Sequence, residues 1–152
     1  MIRLIISDCD GVLTDGKLYY GAEGEVLKVF NVKDGTAIKA LMSEGVKFGV
    51  VSGRGSAALL RRAEELGLDF CQMNISDKAK AVAALREEYG VAVHETLFVG
   101  DDTNDCVVRS ECGHLYAVND AAQALLEICD VQLKTKGGAG VFKEVLKRIH
   151  GN

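Results

Sequence analysis

The chain has 152 residues, 48% of them hydrophobic and 26% charged, with a net charge of −4. That length suits a single domain with a substantial core, and the acidic balance argues against general nucleic-acid binding, which needs a basic face. No apolar run approaches the ~20 residues needed to span a bilayer, so no membrane partner is expected either. Met1-Ile2-Arg3 leads directly into a strand-like run, and no secretory leader is expected. The five cysteines (Cys9, Cys71, Cys106, Cys112 and Cys129) are scattered and lack CxxC spacing. They predict reduced thiols in a cytoplasmic protein, not a disulfide framework or a zinc site.

Leu4 to Ile6 reads as a short buried strand that ends in Ser7-Asp8-Cys9-Asp10-Gly11. Side chains alternate along an extended chain, so Asp8 and Asp10 leave the strand end on the same side. Two such carboxylates suit a hard cation with oxygen ligands; a solvated acidic turn is the plainer alternative. Cys9, between them on the opposite side, reads as a small core residue. Lys17–Tyr20 and Glu25–Phe30 flank Gly21-Ala22-Glu23-Gly24 as a hairpin rich in apolar residues, which something must cover. Asp34 reads as the cap of a helix carrying Ala37, Ile38, Leu41 and Met42 and stopping at Gly45.

Lys47–Val51 is a second strand, ending in Ser52-Gly53-Arg54. Gly55-Ser56 opens a helix with Leu59, Leu60, Ala63 and Leu66 on its apolar face and Gly67 as its stop. Phe70–Met73 is a short strand, and Asp77 caps a helix with Val82, Leu85 and Tyr89 on one face. Thr96–Val99 is a strand ending in Gly100-Asp101-Asp102. Leu115–Val118 and Val131–Leu133 are shorter strands around a helix capped by Asp120, and Val141–Ile149 is a final helix. Strands alternating with helices predict a doubly wound, mostly parallel, Rossmann-like α/β sheet over one domain, residues 1–152, with a hairpin flap after the first strand. About twenty-five residues separate Ser52 from Lys78, which leaves no room for a cap domain. In such sheets the binding crevice lies beyond the carboxyl ends of the strands, where acids, a hydroxyl and an arginine here converge.

Asp8-x-Asp10-Gly-Val-Leu-Thr14, Ser52-Gly-Arg54, Lys78 and Gly100-Asp101-Asp102-x-x-Asp105 resemble the four motifs of the haloacid-dehalogenase-like phosphatases. Leu13-Thr14-Asp15-Gly16, Phe30-Asn31-Val32-Lys33-Asp34-Gly35 and Gly137-Gly138-Ala139-Gly140 extend the resemblance to the small capless branch that includes 3-deoxy-D-manno-octulosonate 8-phosphate phosphatases. It covers roughly Leu4 to Ile149. It implies a Mg²⁺-dependent phosphomonoester hydrolase working through an aspartyl-phosphate, with Asp8 as nucleophile and Asp10 as general acid and base. Ser52 and Lys78 would bind the phosphoryl group. Asp8, the backbone carbonyl of Asp10, and Asp101 would hold the metal, with Asp102 and Asp105 behind them.

The same resemblance makes Lys33, Gly53, Arg54, Arg62 and Gly138 candidate substrate contacts. Arg62, two helical turns beyond Arg54, is expected to face the same cleft. The implied substrate is a 2-keto-3-deoxy sugar acid phosphate, either the eight-carbon octulosonate or a nine-carbon sialic-acid-type 9-phosphate. The related phosphatases tend to carry a basic residue where this chain has Ala139, so that contact is lost or moved to Lys134 or Lys136. A homotetramer, with hairpins meeting and a neighbour's Gly137–Gly140 segment closing each site, is also implied. The rival from another class is a non-catalytic phosphate-sensing or receiver-like domain, which shares the parallel sheet, paired acids, hydroxyl and lysine.

Overall fold

A computed structural model describes residues 1–151. Six strands form one parallel sheet: β1 (Leu4–Ser7), β4 (Lys47–Val51), β5 (Phe70–Gln72), β6 (Thr96–Gly100), β7 (His114–Ala117) and β8 (Val131–Gln132). Their order is β5-β4-β1-β6-β7-β8. The chain moves outward from β1 on one side, then crosses to β6 on the other. In register, Ser7 pairs with Val50 of β4 and with Val99 of β6. A crevice therefore opens at the carboxyl end of β1, where the strand order reverses.

The strands read as apolar runs because both faces of the sheet are covered. Ile5, Phe48, Val50, Leu97 and Val99 pack with α1 (Val32–Ser43) and α5 (Val141–Ile149). Leu4, Ile6, Val51 and Phe98 turn to the other face, against α3 (Lys78–Tyr89), the 3₁₀ segment Thr103–Glu111 and α4 (Gln123–Ile128). Caps fix where the site-bearing helices begin. Ser56 accepts a hydrogen bond from Leu59 N to start α2 (Ala57–Leu66), and Asp77 accepts from Lys80 N to start α3. Both helices end on a glycine in the left-handed conformation, Gly67 and Gly90.

Three expectations change. Asn31, not Asp34, caps α1, and Asp34 is instead buried in its first turn. Asp120 caps no helix; α4 begins after Ala122, and Asp120 accepts from Gly137 N at 3.1 Å. Leu60 points to solvent while Leu59 and Ala63 carry the buried face of α2. The hairpin, β2 (Tyr19–Gly21) with β3 (Gly24–Leu27), forms its own two-stranded sheet and does not extend the central one. Its apolar side chains remain uncovered, with Tyr20 61% and Val26 64% exposed.

Asp34 joins two helices. Its Oδ1 accepts from Phe142 N at 2.8 Å, at the start of α5, while its buried Oδ2 has no partner. Burial pushes the carboxyl up to about 6, against a pull from Phe142 N and Arg62. A raised carboxyl pKa means that stability is fully present in acid and falls as pH rises from about 4 through about 6, by at most roughly 3 kcal/mol. Asp34→Asn keeps the Oδ1 acceptor and removes the charge. Its melting temperature should exceed the wild type's by several degrees at about pH 8 and by only about a third as much near pH 4.5; an equal difference at both values contradicts this reading.

Candidate active site

The turn after β1 sets the site. Asp8 N donates to Val99 O, tying the first acid to β6, and the amides of Val12, Leu13 and Thr14 fold back onto Cys9 O. Thr14 Oγ1 accepts from Gly11 N and Gly16 N, which holds the loop closed. Gly11 adopts φ +87°, and a Cβ there would lie 1.9 Å from Asp101 Oδ2, so the approach of the two loops requires glycine. The Gly137 segment lies against the same loop: a Cβ on Gly137 would meet Gly11 O at 1.9 Å, and Gly138 N donates to Val12 O.

A cleft of about 240 Å³ at this edge is lined by Asp8, Asp10, Gly16, Ser52, Gly53, Arg54, Lys78, Asp101, Asp102 and Asn104. Lys78, first residue of α3 and buried, sits between two carboxylates, 3.2 Å from Asp8 Oδ2 and 2.7 Å from Asp105 Oδ1. Burial opposes its charge, but the two acids outweigh that and raise its pKa. Asp105 Oδ2 accepts from Asp101 N and Asp102 N, so both of its oxygens are occupied. Asp8 Oδ1 accepts from Cys9 N at 2.7 Å. Ser52, buried at the end of β4, is held through its amide on Gln72 O and lends Oγ to Arg54 N.

Asp8, Asp101 and Asp105 each bring a carboxylate oxygen within 4.8 Å of the others. Burial pushes both Asp8 and Asp101 well above the usual carboxylate range, helped by Asp105 at Asp8 and by Asp8 and Asp105 at Asp101, while Lys78 and the contact with Asp101 only partly offset this at Asp8. Asp101 Oδ1 is buried without a hydrogen-bond partner. A crowd of buried acids with an orphaned oxygen on Asp101 fits a hard divalent cation, which Asp8 and Asp101 would hold. Cys9 is buried, and burial with Asp10 and Asp8 nearby drives its thiol far up, so it is an inert core residue.

Three of the expected substrate contacts lie elsewhere. Arg62 is packed under Gly35, with its guanidinium 6.0 Å from the Phe30 ring centre and 3.3 Å from Glu65. The helical spacing to Arg54 does not apply, because α2 begins only at Ala57. Lys33 lines a separate cavity of about 580 Å³ with Lys134, Ala139, Lys143, Lys147 and Arg148. Gly138 is a backbone bracket that accepts from Asn31 Nδ2 at 3.2 Å. Conversely, the sequence reading missed Asn104 in the cleft and Lys28 behind it. Lys28 Nζ lies 2.7 Å from Asp10 Oδ1 and 2.8 Å from Glu25 Oε2. Its only sequence signal is the Glu25-x-x-Lys28 spacing in a strand-like run.

Models of the haloacid dehalogenase-like hydrolases match residues 21–108 and 73–145. The chain belongs to this family. It is 40% identical over 148 residues to the 3-deoxy-D-manno-octulosonate 8-phosphate phosphatase KdsC of Haemophilus influenzae, covering 97% of this chain and 82% of that protein. The Escherichia coli K12 phosphatase KdsC is 36% identical over 95% of this chain and 77% of its own length. Among solved structures, the cobalt-bound Haemophilus influenzae phosphatase superposes with a TM-score of 0.95 at 39% identity, over 99% of this chain and 88% of that one. The Moraxella catarrhalis phosphatase, in complex with magnesium, phosphate and KDO, gives 0.94 at 32% identity, over 99% and 86%.

Repulsion among the acids sets a test for this member of the hydrolase family. Burial and Asp8 raise the Asp101 carboxyl to about 9, so at neutral pH folding must keep it protonated; Asp101→Asn removes that cost, and the metal-free variant should melt above the metal-free wild type. Saturating Mg²⁺ should raise the wild type by roughly 5–10 °C, since binding at 100 times Kd is worth about 2.7 kcal/mol. The variant should lose most of that rise. A metal-free Asp101→Asn protein less stable than wild type would contradict the account.

Proposed function

We propose that residues 1–152 act as one Mg²⁺-dependent phosphatase domain for a 2-keto-3-deoxy sugar acid phosphate, with 3-deoxy-D-manno-octulosonate 8-phosphate as the preferred substrate. The observation that carries this is the convergence of Asp8, Asp10, Ser52, Lys78 and Asp101 on one cleft, in a fold matching a relative seen with magnesium, phosphate and KDO. A receiver-like domain is the weaker reading, because relatives across almost the whole chain are phosphatases.

Asp8 attacks phosphorus through a carboxylate oxygen, and the bond from phosphorus to the sugar oxygen breaks. Asp10 gives its proton to that departing oxygen. Asp10 then takes a proton from water as the water oxygen bonds to phosphorus. The Asp8–phosphorus bond breaks, inorganic phosphate leaves and Asp8 is restored. Ser52 donates to a phosphoryl oxygen, and Lys78 keeps Asp8 aimed while neutralising charge. Mg²⁺ would be held by Asp8, the Asp10 carbonyl and Asp101, and would supply the positive charge that two anions need to meet.

The substrate's carboxylate finds its counter-charge in the lysines around Ala139. A basic side chain at that position is replaced here by Lys33 and Lys134, which share its cavity. Because this cavity is distinct from the acidic cleft, the reading includes a homotetramer in which a neighbour's Gly137–Gly140 segment reaches each cleft. The uncovered hairpin supports that assembly: Tyr20, Val26, Val29 and Val32 form apolar surface that association would bury. Five free cysteines fit a reducing cytoplasm, and no helix among the described residues is long and apolar enough to cross a membrane.

A phosphate-release panel with Mg²⁺ tests the chemistry and the substrate together. The octulosonate 8-phosphate should give the highest kcat/KM, the nine-carbon acid 9-phosphate should follow, and Asp8→Asn should abolish turnover of both. Equal cleavage of neutral hexose phosphates rejects the substrate class. Light scattering at micromolar concentration should report four copies; a monomer rejects the assembly.

A further inference from the structure

Asp10 is engaged by cations on both oxygens. Lys28 Nζ donates to Oδ1 at 2.7 Å, and Arg54 Nε donates to Oδ2 at 3.1 Å. Lys28 follows β3, outside the central sheet, and its side chain is only 3% exposed. It does not line the cleft, so it meets Asp10 from behind and is closed to substrate. Its other partner, Glu25 at 2.8 Å, also accepts from Arg54 Nη2 and from Ser56 Oγ, each at 2.7 Å. Arg54 Nη1 completes the enclosure by donating to Tyr20 OH at 3.2 Å. Asp10, Lys28, Glu25 and Arg54 thus form a closed ring in which the hairpin grips the acid.

Burial opposes the Lys28 charge, yet hydrogen bonds to Asp10 and Glu25 prevail and raise its pKa. The Glu25 pair lies within the hairpin, three positions apart, so the bond to Asp10 is the one that joins Lys28 to the cleft.

We propose that Lys28 is a positioning residue for phosphoryl transfer: it fixes the Asp10 carboxyl in line with the departing and attacking oxygens, and Glu25 fixes Lys28. This rests on the reading of Asp10 as the proton donor and acceptor. Protonating the sugar oxygen and deprotonating water both require Asp10 within hydrogen-bond reach. The attack of Asp8 on phosphorus does not. Loss of Lys28 therefore slows leaving-group departure for a sugar ester and hydrolysis of the aspartyl-phosphate for every ester.

The test uses full-length protein with Mg²⁺ and two esters: the octulosonate 8-phosphate and p-nitrophenyl phosphate, whose leaving group departs without a proton. Lys28→Met should lower kcat on the sugar ester about 100-fold while KM moves less than about threefold. On p-nitrophenyl phosphate it should release about one nitrophenolate per site in a burst, then turn over slowly. Acid-quenched protein should then carry phosphate on Asp8 by mass spectrometry. Asp10→Asn should show the same burst, and Lys28→Arg should recover most of the rate. If Asp10→Asn bursts and Lys28→Met does not, losing equally on both esters, the positioning role is overturned. Absence of a burst in Asp10→Asn overturns the reading of Asp10 instead. Should Lys28→Met fail to fold, Glu25→Gln must give a weaker burst, and a folded Glu25→Gln without one overturns the proposal.

Discussion

Charge balance in a small buried volume governs this site. Asp8, Asp10, Glu25, Asp101 and Asp105 interlock with Lys28, Arg54 and Lys78. With all five acids ionised, three bases leave two negative charges unmatched, which is what one divalent cation neutralises. In water such an imbalance would be screened; here burial keeps Asp8 and Asp101 above the usual carboxylate range. Affinity for a hard cation and the strain of the metal-free crevice are two aspects of one arrangement.

The sheet creates the crevice and the loops fill it. β1 lies between β4 and β6, so the turns after these three strands meet at one edge and bring Asp8, Ser52 and Asp101 together. Lys78 arrives on the first turn of α3, whose start Asp77 fixes. The hairpin adds what the sheet cannot supply, a lysine that reaches Asp10 and a glutamate that holds that lysine. The same element thus holds the acid with its inner residues while its outer apolar residues stay exposed.

Asp8, Asp10, Ser52 and Asp101 are legible in the sequence because each follows a strand at short range, where the polar break in an apolar run is visible; Lys78, on the first turn of a helix, stands out only by its place in the order of motifs. The sheet was legible for the same reason: apolar runs alternated with helical stripes. Lys28 and Glu25 were not legible, since their partners lie 18 to 31 positions away and only the folded hairpin joins them. Arg62 misled because helical spacing was counted from Arg54, which precedes the helix. Asp34 misled because a carboxylate near a helix start reads as a cap, whereas Asn31 had taken that place and Asp34 reaches across to α5.

The central claim is that Asp8 is the nucleophile and that its crevice draws in one divalent cation to balance the excess of carboxylates. A crystal structure grown with Mg²⁺ and beryllium fluoride tests both parts in one experiment, because beryllium fluoride mimics a phosphoryl group on a carboxylate oxygen. The account predicts the beryllium bonded to Asp8, with Ser52 and Lys78 donating to its fluorines and a single metal ion shared by Asp8 and Asp101. Beryllium fluoride on Asp10, or a metal ion bound without Asp101, would contradict it.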